Sequence, residues 1–553
     1  MTLRHRVHRV LYVPLDDRPV NLGMPPMIAG IVDYEMRMPP RELLGCYETP
    51  GRPEEIAEWL LAQAQEPQDC LILSLDMLLY GGLVASRRPD VLPGIARKRL
   101  HLLPELRRRF PGSALYACTT ICRLEFCLSE EDRVRYEPDC RLYTRLANDP
   151  REQERVEQVL RRLPESLVQH YQFVRRRNHE MNLAAVDHVA AGELDFLLVG
   201  QDDADVLGFH VAEREALRAR VEEEDVPDKV VMCAGADEIG CTLFSHFLHE
   251  HMEETPRVAV IYLDEEAAQQ TAPFEDRPFA ENLREQARAA GVELVVGPQH
   301  ADMVLAVSPP VAGGREEVTT SPEYAQRRER LATFAAQIAD LASHRGVALC
   351  DAAFPNGAED AFMEELDAAG VPWPRLLAFA AWNTAGNSVG TALAHGTVRM
   401  VGLRDKAAFD LAQLLTTISP MRYFELLSSL LGAEKAHLQL LLTRLADDWL
   451  YQTRVRPLVL EYLRGLMSSC GFDLSQTQAR AQEVVREKLT EAIVTLWVDE
   501  FLGQPAAEIG PPERCYGLVL AELQDTRVQL PWRRLFEVEL ELDLGLELAT
   551  PVS

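Results

Sequence analysis

The sequence predicts an α/β protein built on parallel sheets with helices on both faces. Short runs rich in Val, Ile and Leu alternate with longer amphipathic stretches, and the runs lack the period-two polarity of half-exposed strands. Strand–helix alternation of this kind gives a parallel sheet covered by helices. The alternation also stops abruptly near residue 406, which separates a third region from the rest.

In chain order the expected strands are 10–14, 70–75, 114–119, 196–200, 230–234, 257–263, 293–296, 303–307, 347–350 and 376–381. Helical patterns at 53–65, 96–109, 150–176 and 324–344 lie between them. Two lobes are expected, 1–250 with acidic strand-end loops and 255–405 opening on TPRVAVIYL; one distorted barrel is the alternative. The region 406–553 reads as Leu-rich helices over 406–500, followed by a strand tail. In that tail, FEVELELDLGLEL alternates apolar and acidic residues, so one face should be wet, and the tail should pair back onto a main sheet.

Charge narrows the partners. The 57 Lys and Arg against 86 Asp and Glu leave a net charge of −29, which repels phosphate backbones and argues against nucleic acid. No window approaches the roughly 18 consecutive apolar residues of a membrane span. The basic start MTLRHRVHRV leads into a segment too short and too charged for a signal-peptide core, so a cytoplasmic location is expected. Eleven cysteines are scattered along the chain, and the spacing of Cys118, Cys122 and Cys127 matches no zinc knuckle, so free thiols are expected there.

In parallel α/β folds, ligands bind at the carboxyl ends of the strands. Polar residues crowd those positions: Asp16, Asp17, Arg18 and Asn21; Asp76, Tyr80 and Arg87; Thr119, Thr120 and Arg123; Asp202 and Asp203; Asp237 and Glu238; Asp351 and Asn356; and Trp382, Asn383 and Asn387. A single Asp at a strand end often caps the next helix. Three side-by-side acid pairs are harder to explain as caps, because adjacent like charges cost stability unless a cation, proton or ligand compensates. Trp382 beside Asn383 and Asn387 is the composition expected for stacking on and hydrogen bonding to a polyol. Gly81-Gly82 offers a weak anion-binding loop. The chain has no GxxxxGK[ST] or HExxH motif, which removes the common nucleotide and zincin sites.

Five of these segments recur in a known order. LYVPLDDRPVN, LSLDMLLYGGLVASR, VGQDDADVLG, GADEIG and AWNTAGNSVGTALAH together resemble the bacterial family catalogued as domain of unknown function 4127. The resemblance spans nearly the whole chain and implies a large cytoplasmic bacterial protein, but no activity.

The residues themselves suggest a hydrolase of a glycoside or related polyhydroxylated small molecule, since glycoside hydrolysis needs one carboxyl that donates a proton and one that stays ionised. Asp202 or Asp203 with Asp237 or Glu238 is the expected catalytic pair. Asp16, Asp17, Arg18, Asn21, Asp76, Tyr80, Arg87 and Arg123 would hold the substrate, and Trp382, Asn383 and Asn387 would orient it. No cofactor or metal is expected on this reading. One alternative is a Mg²⁺ or Mn²⁺ enzyme with Asp16, Asp76, Asp202 and Asp237 as ligands. Another is a non-enzymatic cytoplasmic sugar-binding protein.

Overall fold

The computed structural model describes residues 8–466, 474, 477–511 and 515–551. They fall into two compact units. The first takes the N-terminal stretch up to Leu22 with Met36–Leu243 and Thr271–Ala289; the second takes Gly23–Glu35, Phe244–Gln270 and the chain from Ala290 onward.

The sheet of the first unit is formed by β1 (His8–Val13), β2 (Tyr34–Arg37), β3 (Cys70–Ser74), β4 (Ala114–Ile121), β5 (Phe196–Gln201) and β6 (Val230–Ala234), in the order β2-β1-β3-β4-β5-β6. From β1 to β6 the pairings are parallel, with Val10 opposite Cys70, Cys70 opposite Ala114, Tyr116 opposite Phe196 and Leu197 opposite Val230. Every residue of β3 and β5 is buried, which explains why these strands read as unbroken apolar runs. Alternate residues (Leu71 and Leu73, Leu115 and Ala117, Leu197 and Val199) share one core with helix residues Leu60, Leu103, Val186 and Leu217. The chain runs from β1 outward to β2 and returns on the other side as β3. The strand order therefore reverses between β1 and β3, the place where open parallel sheets hold ligands.

The second unit has its own parallel sheet, β7 (Arg257–Tyr262), β8 (Glu293–Val295), β9 (Met303–Ser308), β10 (Val347–Asp351) and β11 (Ala378–Ala380), in the order β11-β10-β9-β7-β8. Helices follow at Ala385–Ala407, Pro420–Arg444, Arg456–Leu466 and Gln478–Leu496, with a π-helical turn at Leu445–Val455. One apolar cluster joins strand residues Val304, Leu349 and Phe379 to Leu438, Leu441, Trp449, Val485 and Leu489 of these helices.

Four expectations are corrected. Neither sheet closes, so among the described residues there is no barrel. The acidic tail joins no main sheet: β12 (Pro505–Ile509), β13 (Tyr516–Gln529) and β14 (Glu539–Pro551) make a separate antiparallel sheet in that order. Its period-two pattern still has the predicted use, since Leu540, Leu542 and Leu544 enter the unit's core. The helix expected at 96–109 is two helices meeting at His101, Pro93–Leu100 and Leu102–Arg109. The one expected at 150–176 breaks before Pro164, whose ring disfavours helical backbone in the residue preceding it; Gln153–Leu160 and Glu165–Ala190 lie on either side. No helix among the described residues is long and apolar enough to cross a membrane.

Candidate functional site

The strand ends of the first unit carry a buried network of acids and arginines. After β1 the chain turns into a short helix, Pro19–Leu22. Asp16 organises this turn: its carboxylate accepts from the Arg18 backbone N–H at 3.1 Å and from Asn21 Nδ2 at 2.7 Å. Part of its role is thus the capping expected of a strand-end Asp. The remaining oxygen accepts from Arg18 Nε at 2.8 Å, and the far edge of the same guanidinium grips Asp237 after β6 through two bonds of 3.0 and 2.6 Å. Asp17 accepts from the Tyr47 backbone N–H at 3.3 Å.

Asp76 lies in the first turn of the helix Leu75–Tyr80, which starts directly from β3 with Ser74 as its cap. One Asp76 oxygen accepts from the Thr120 hydroxyl at 3.1 Å at the end of β4, and Oδ2 is buried without a hydrogen-bond partner among the described residues. Burial raises its pKa to about 7; the Thr120 hydroxyl opposes the shift and the Asp202 charge adds to it.

Asp202 and Asp203 follow β5 and are pushed in opposite directions. Burial alone would raise Asp202, but Arg87, which it binds directly, and Arg123 pull it below the ordinary carboxylate value. Asp203 rises to about 6 through burial and the neighbouring Asp202 charge, despite Arg123 at 2.5 Å. The acid doublet thus produces the split that adjacent like charges require.

Glu238 behaves differently. It is fully buried, accepts from Gln286 Nε2 at 2.6 Å, and is raised to about 8 mainly by burial. Its carboxyl folds back over Gly235, where a Cβ would lie 2.2 Å from Oε1 and where φ is +121°, so glycine is required on both counts. Tyr80 lies under the Arg177 guanidinium, 4.3 Å from its ring centre. The Gly81 and Gly82 N–H groups donate to the Met77 and Asp76 carbonyls at 3.0 and 3.1 Å, so these glycines end a helix and form no anion cradle. Cys118, Cys122 and Cys127 are free thiols.

Trp382, Asn383 and Asn387 belong to the second unit. The Trp382 ring packs on Phe536, with ring centres 5.1 Å apart. Asn383 has φ +57° and its carbonyl accepts from the Asn356 N–H at 2.8 Å; Asn387 is buried in the first turn of Ala385–Ala407. Nearby, Asp448 of the π-helical turn accepts from the Ala381 N–H at 2.7 Å and from Arg444 at 2.7 Å. Burial, opposed by Arg444 and reinforced by Asp447, raises Asp448 to about 7. Asp447-Asp448 is a further buried pair of adjacent acids that the sequence reading did not single out.

Sequence reasoning also left out four polar residues buried by the helix Glu165–Ala190: Arg175, Arg177, Asn178 and Asn182. Asn182 accepts from Thr119 at 2.6 Å and donates to the Thr120 carbonyl at 3.0 Å, which supports the end of β4 that holds Asp76. Arg175 grips Glu213 through two bonds of 2.9 and 2.6 Å. The signal was the polar run RRRNHEMN inside an otherwise apolar helical pattern.

A family described as "Protein of unknown function (DUF4127)" matches residues 10–541. No curated relative matches the chain. Among solved structures, the carboxyl transferase domain of Rhizobium etli pyruvate carboxylase with 3-bromopyruvate is similar at 9% identity, over 99% of this chain and 88% of that one. Its TM-score of 0.19 carries no argument about fold or activity.

Proposed function

The chain belongs to the DUF4127 family, and from that premise we propose a cytoplasmic hydrolase of a glycoside or related polyhydroxylated small molecule, with Asp76 as proton donor and Asp202 as its ionised partner. The observation that supports this most is the contrast between two neighbouring carboxyls. Asp76 is buried beside a lone hydroxyl with one oxygen unpartnered, whereas Asp202 is held by Arg87. Carboxyl groups whose surroundings push their proton affinities apart are the usual arrangement for glycoside hydrolysis.

In the proposed reaction, neutral Asp76 gives its proton to the glycosidic oxygen as the C–O bond breaks, and Asp202 acts on the opposite side as base toward water or as nucleophile. Water supplies the hydroxyl on the sugar carbon; its proton returns to Asp76 when Asp202 is the nucleophile, and goes to Asp202 when Asp202 is the base, after which exchange with solvent restores both groups. Arg87 limits the cost of keeping Asp202 charged while buried. A Mg²⁺ or Mn²⁺ centre on Asp16, Asp76, Asp202 and Asp237 fits less well, because Arg18 already bridges Asp16 and Asp237 and supplies their countercharge.

The test is a panel of neutral and acidic aryl glycosides assayed with and without EDTA. Hydrolysis of a panel member that resists EDTA and falls about 10²-fold or more in Asp76→Asn supports the reading. Turnover indifferent to Asp76→Asn, or abolished by EDTA and restored by Mg²⁺, overturns it; no turnover leaves the sugar-binding reading in its place.

A further inference from the structure

A cavity of about 210 Å³ opens in the first unit between the segment after Tyr80, the loop leaving β4 and the helix Glu165–Ala190. Its lining includes Arg87, Arg88, Arg123 and Arg175, with Asp90 and Glu125 as the only acids, in a chain whose net charge is −29. Three acids that hold these arginines do not line it, since Asp202 holds Arg87, Asp203 holds Arg123 and Glu213 holds Arg175; the lining acids Glu125 and Asp90 pair with Arg123 at 2.5 Å and with Arg88 at 3.1 Å. The cavity therefore meets four guanidinium groups with two carboxylates in its own lining. Arg87 Nε and Arg123 Nε are buried without a hydrogen-bond partner among the described residues. The lining also includes an aromatic pair, Phe126 and Tyr171 stacked at 4.1 Å and 5°, with the Arg175 guanidinium 5.5 Å from the Tyr171 ring centre.

Guanidinium groups in a partly buried cavity suit an oxyanion, since charge-assisted bonds to carboxylate or phosphate are about twice as strong as neutral ones. The volume is below the usual range of about 300–1,000 Å³ for drug-sized ligands, so the occupant is small. We propose that this cavity binds an oxyanion, carboxylate or phosphate, attached to a small flat or apolar body. Resting on the hydrolase reading, the proposal makes that oxyanion the acidic group of the substrate. Arg87 and Arg123 would then serve two masters, the substrate's anion on one side and Asp202 and Asp203 on the other.

Cys127 lines the cavity and is exposed, whereas Cys122 is buried and its thiol is pushed up to about 11 by burial, so Cys127 is the reactive reporter there. The experiment follows alkylation of Cys127 in the full chain by N-ethylmaleimide, read by peptide mass spectrometry, with exposed Cys46 as internal control. Benzoate and phenyl phosphate are the two anionic probes and benzyl alcohol the neutral one. Saturable protection of Cys127 by at least one anion, about tenfold or more at saturation, is expected, with Cys46 and the benzyl alcohol sample unchanged. Stronger protection by benzoate assigns a carboxylate, and stronger protection by phenyl phosphate a phosphate. In Arg88→Gln, a substitution at a partly exposed position, about tenfold more anion should be needed. Protection by neither anion, equal protection by benzyl alcohol, or undiminished affinity in Arg88→Gln overturns the proposal. Binding and turnover separate the two readings. Protection with activity indifferent to Asp76→Asn removes the hydrolase and keeps the anion site; Asp76-dependent turnover without protection does the reverse.

Discussion

Arg18 and Asp237 lie 219 positions apart and meet fork to fork, Nη1 to Oδ2 at 3.0 Å and Nη2 to Oδ1 at 2.6 Å. Three strands separate β1 from β6 in the sheet, so this contact draws the loops after β1 and β6 together. Because Asp16 shares the same guanidinium, one cation compensates two buried acids.

Removing that cation should be costly. Arg18→Ala leaves Asp16 and Asp237 buried around a missing countercharge, and a broken buried pair costs about 3–5 kcal/mol. Urea unfolding should record a loss of that size. Arg18→Lys should recover only part of it, because an ammonium cannot reproduce the planar fork. A loss below about 1 kcal/mol in Arg18→Ala would mean that the clamp is exposed to water in solution.

Asp76→Asn isolates the proton donor. The amide keeps the shape and can still accept from Thr120, while the titrating proton is gone, so the fold should persist. If Asp76 is the acid, wild-type kcat/KM should fall above about pH 7 as Asp76 ionises, the value to which burial first and Asp202 next raise it. The residual activity of Asp76→Asn should lack that limb. An alkaline limb unchanged in the variant would assign it to another group.

Glu238 gives the stability counterpart. Burial raises its pKa in the folded protein to about 8, above the ordinary 4.5, so the folded state binds the proton more tightly than the unfolded chain. This stabilisation is complete below about pH 4.5 and is lost as pH rises through about 8, with a ceiling of about 5 kcal/mol. Glu238→Gln keeps an acceptor for Gln286 and removes the titration. Its unfolding free energy should depend less on pH between 5 and 8 than the wild type's, and the variant should be the more stable of the two at pH 8. Parallel pH profiles would show that Glu238 is ionised in the folded protein.

The strands were legible because burial on both faces writes itself directly as composition: all ten expected runs overlap an observed strand, from Val230–Ala234, matched residue for residue, to the three residues Ala378–Ala380. β2, β12 and β13 were not. YEMR is too short and too polar to stand out, and β13 alternates only weakly because its second half, AELQDTRVQ, is mostly solvent-facing. In the site, adjacent acids pointed to strained charge, and Asp202 and Asp203 carry it. Which acid rises could not be read from the doublets: Asp76 has no acidic neighbour in sequence, and its environment comes from Thr120 and Asp202, 44 and 126 positions away. Likewise, Arg18 and Asp237 look unrelated until the sheet order places both at strand ends.

The last prediction concerns the helices beyond residue 405. Within the second unit they complete the core: Leu438, Leu441, Leu445 and Trp449 share one apolar cluster with Leu349, Phe379 and Leu366. Polar ties run the same way. Arg399 is gripped by Glu434 at 2.6 and 2.7 Å with both side chains buried, and Asp448 accepts the Ala381 N–H at the end of β11. A fragment ending at residue 405 would expose the apolar face of β9–β11 and leave Arg399 without its carboxylate. Each fully buried Leu or Phe returned to water costs about 1.5–3 kcal/mol, so losing even four such contacts rivals the 5–15 kcal/mol stability of a typical domain. The fragment should therefore be recovered as aggregate or, if dispersed, should bind a hydrophobic dye and melt without a cooperative transition. Size-exclusion chromatography and calorimetry on 1–405 beside the full chain decide the point. A monodisperse fragment with a sharp transition would make the C-terminal helices an appendage, and the shared cluster would then contribute little to holding the second sheet together.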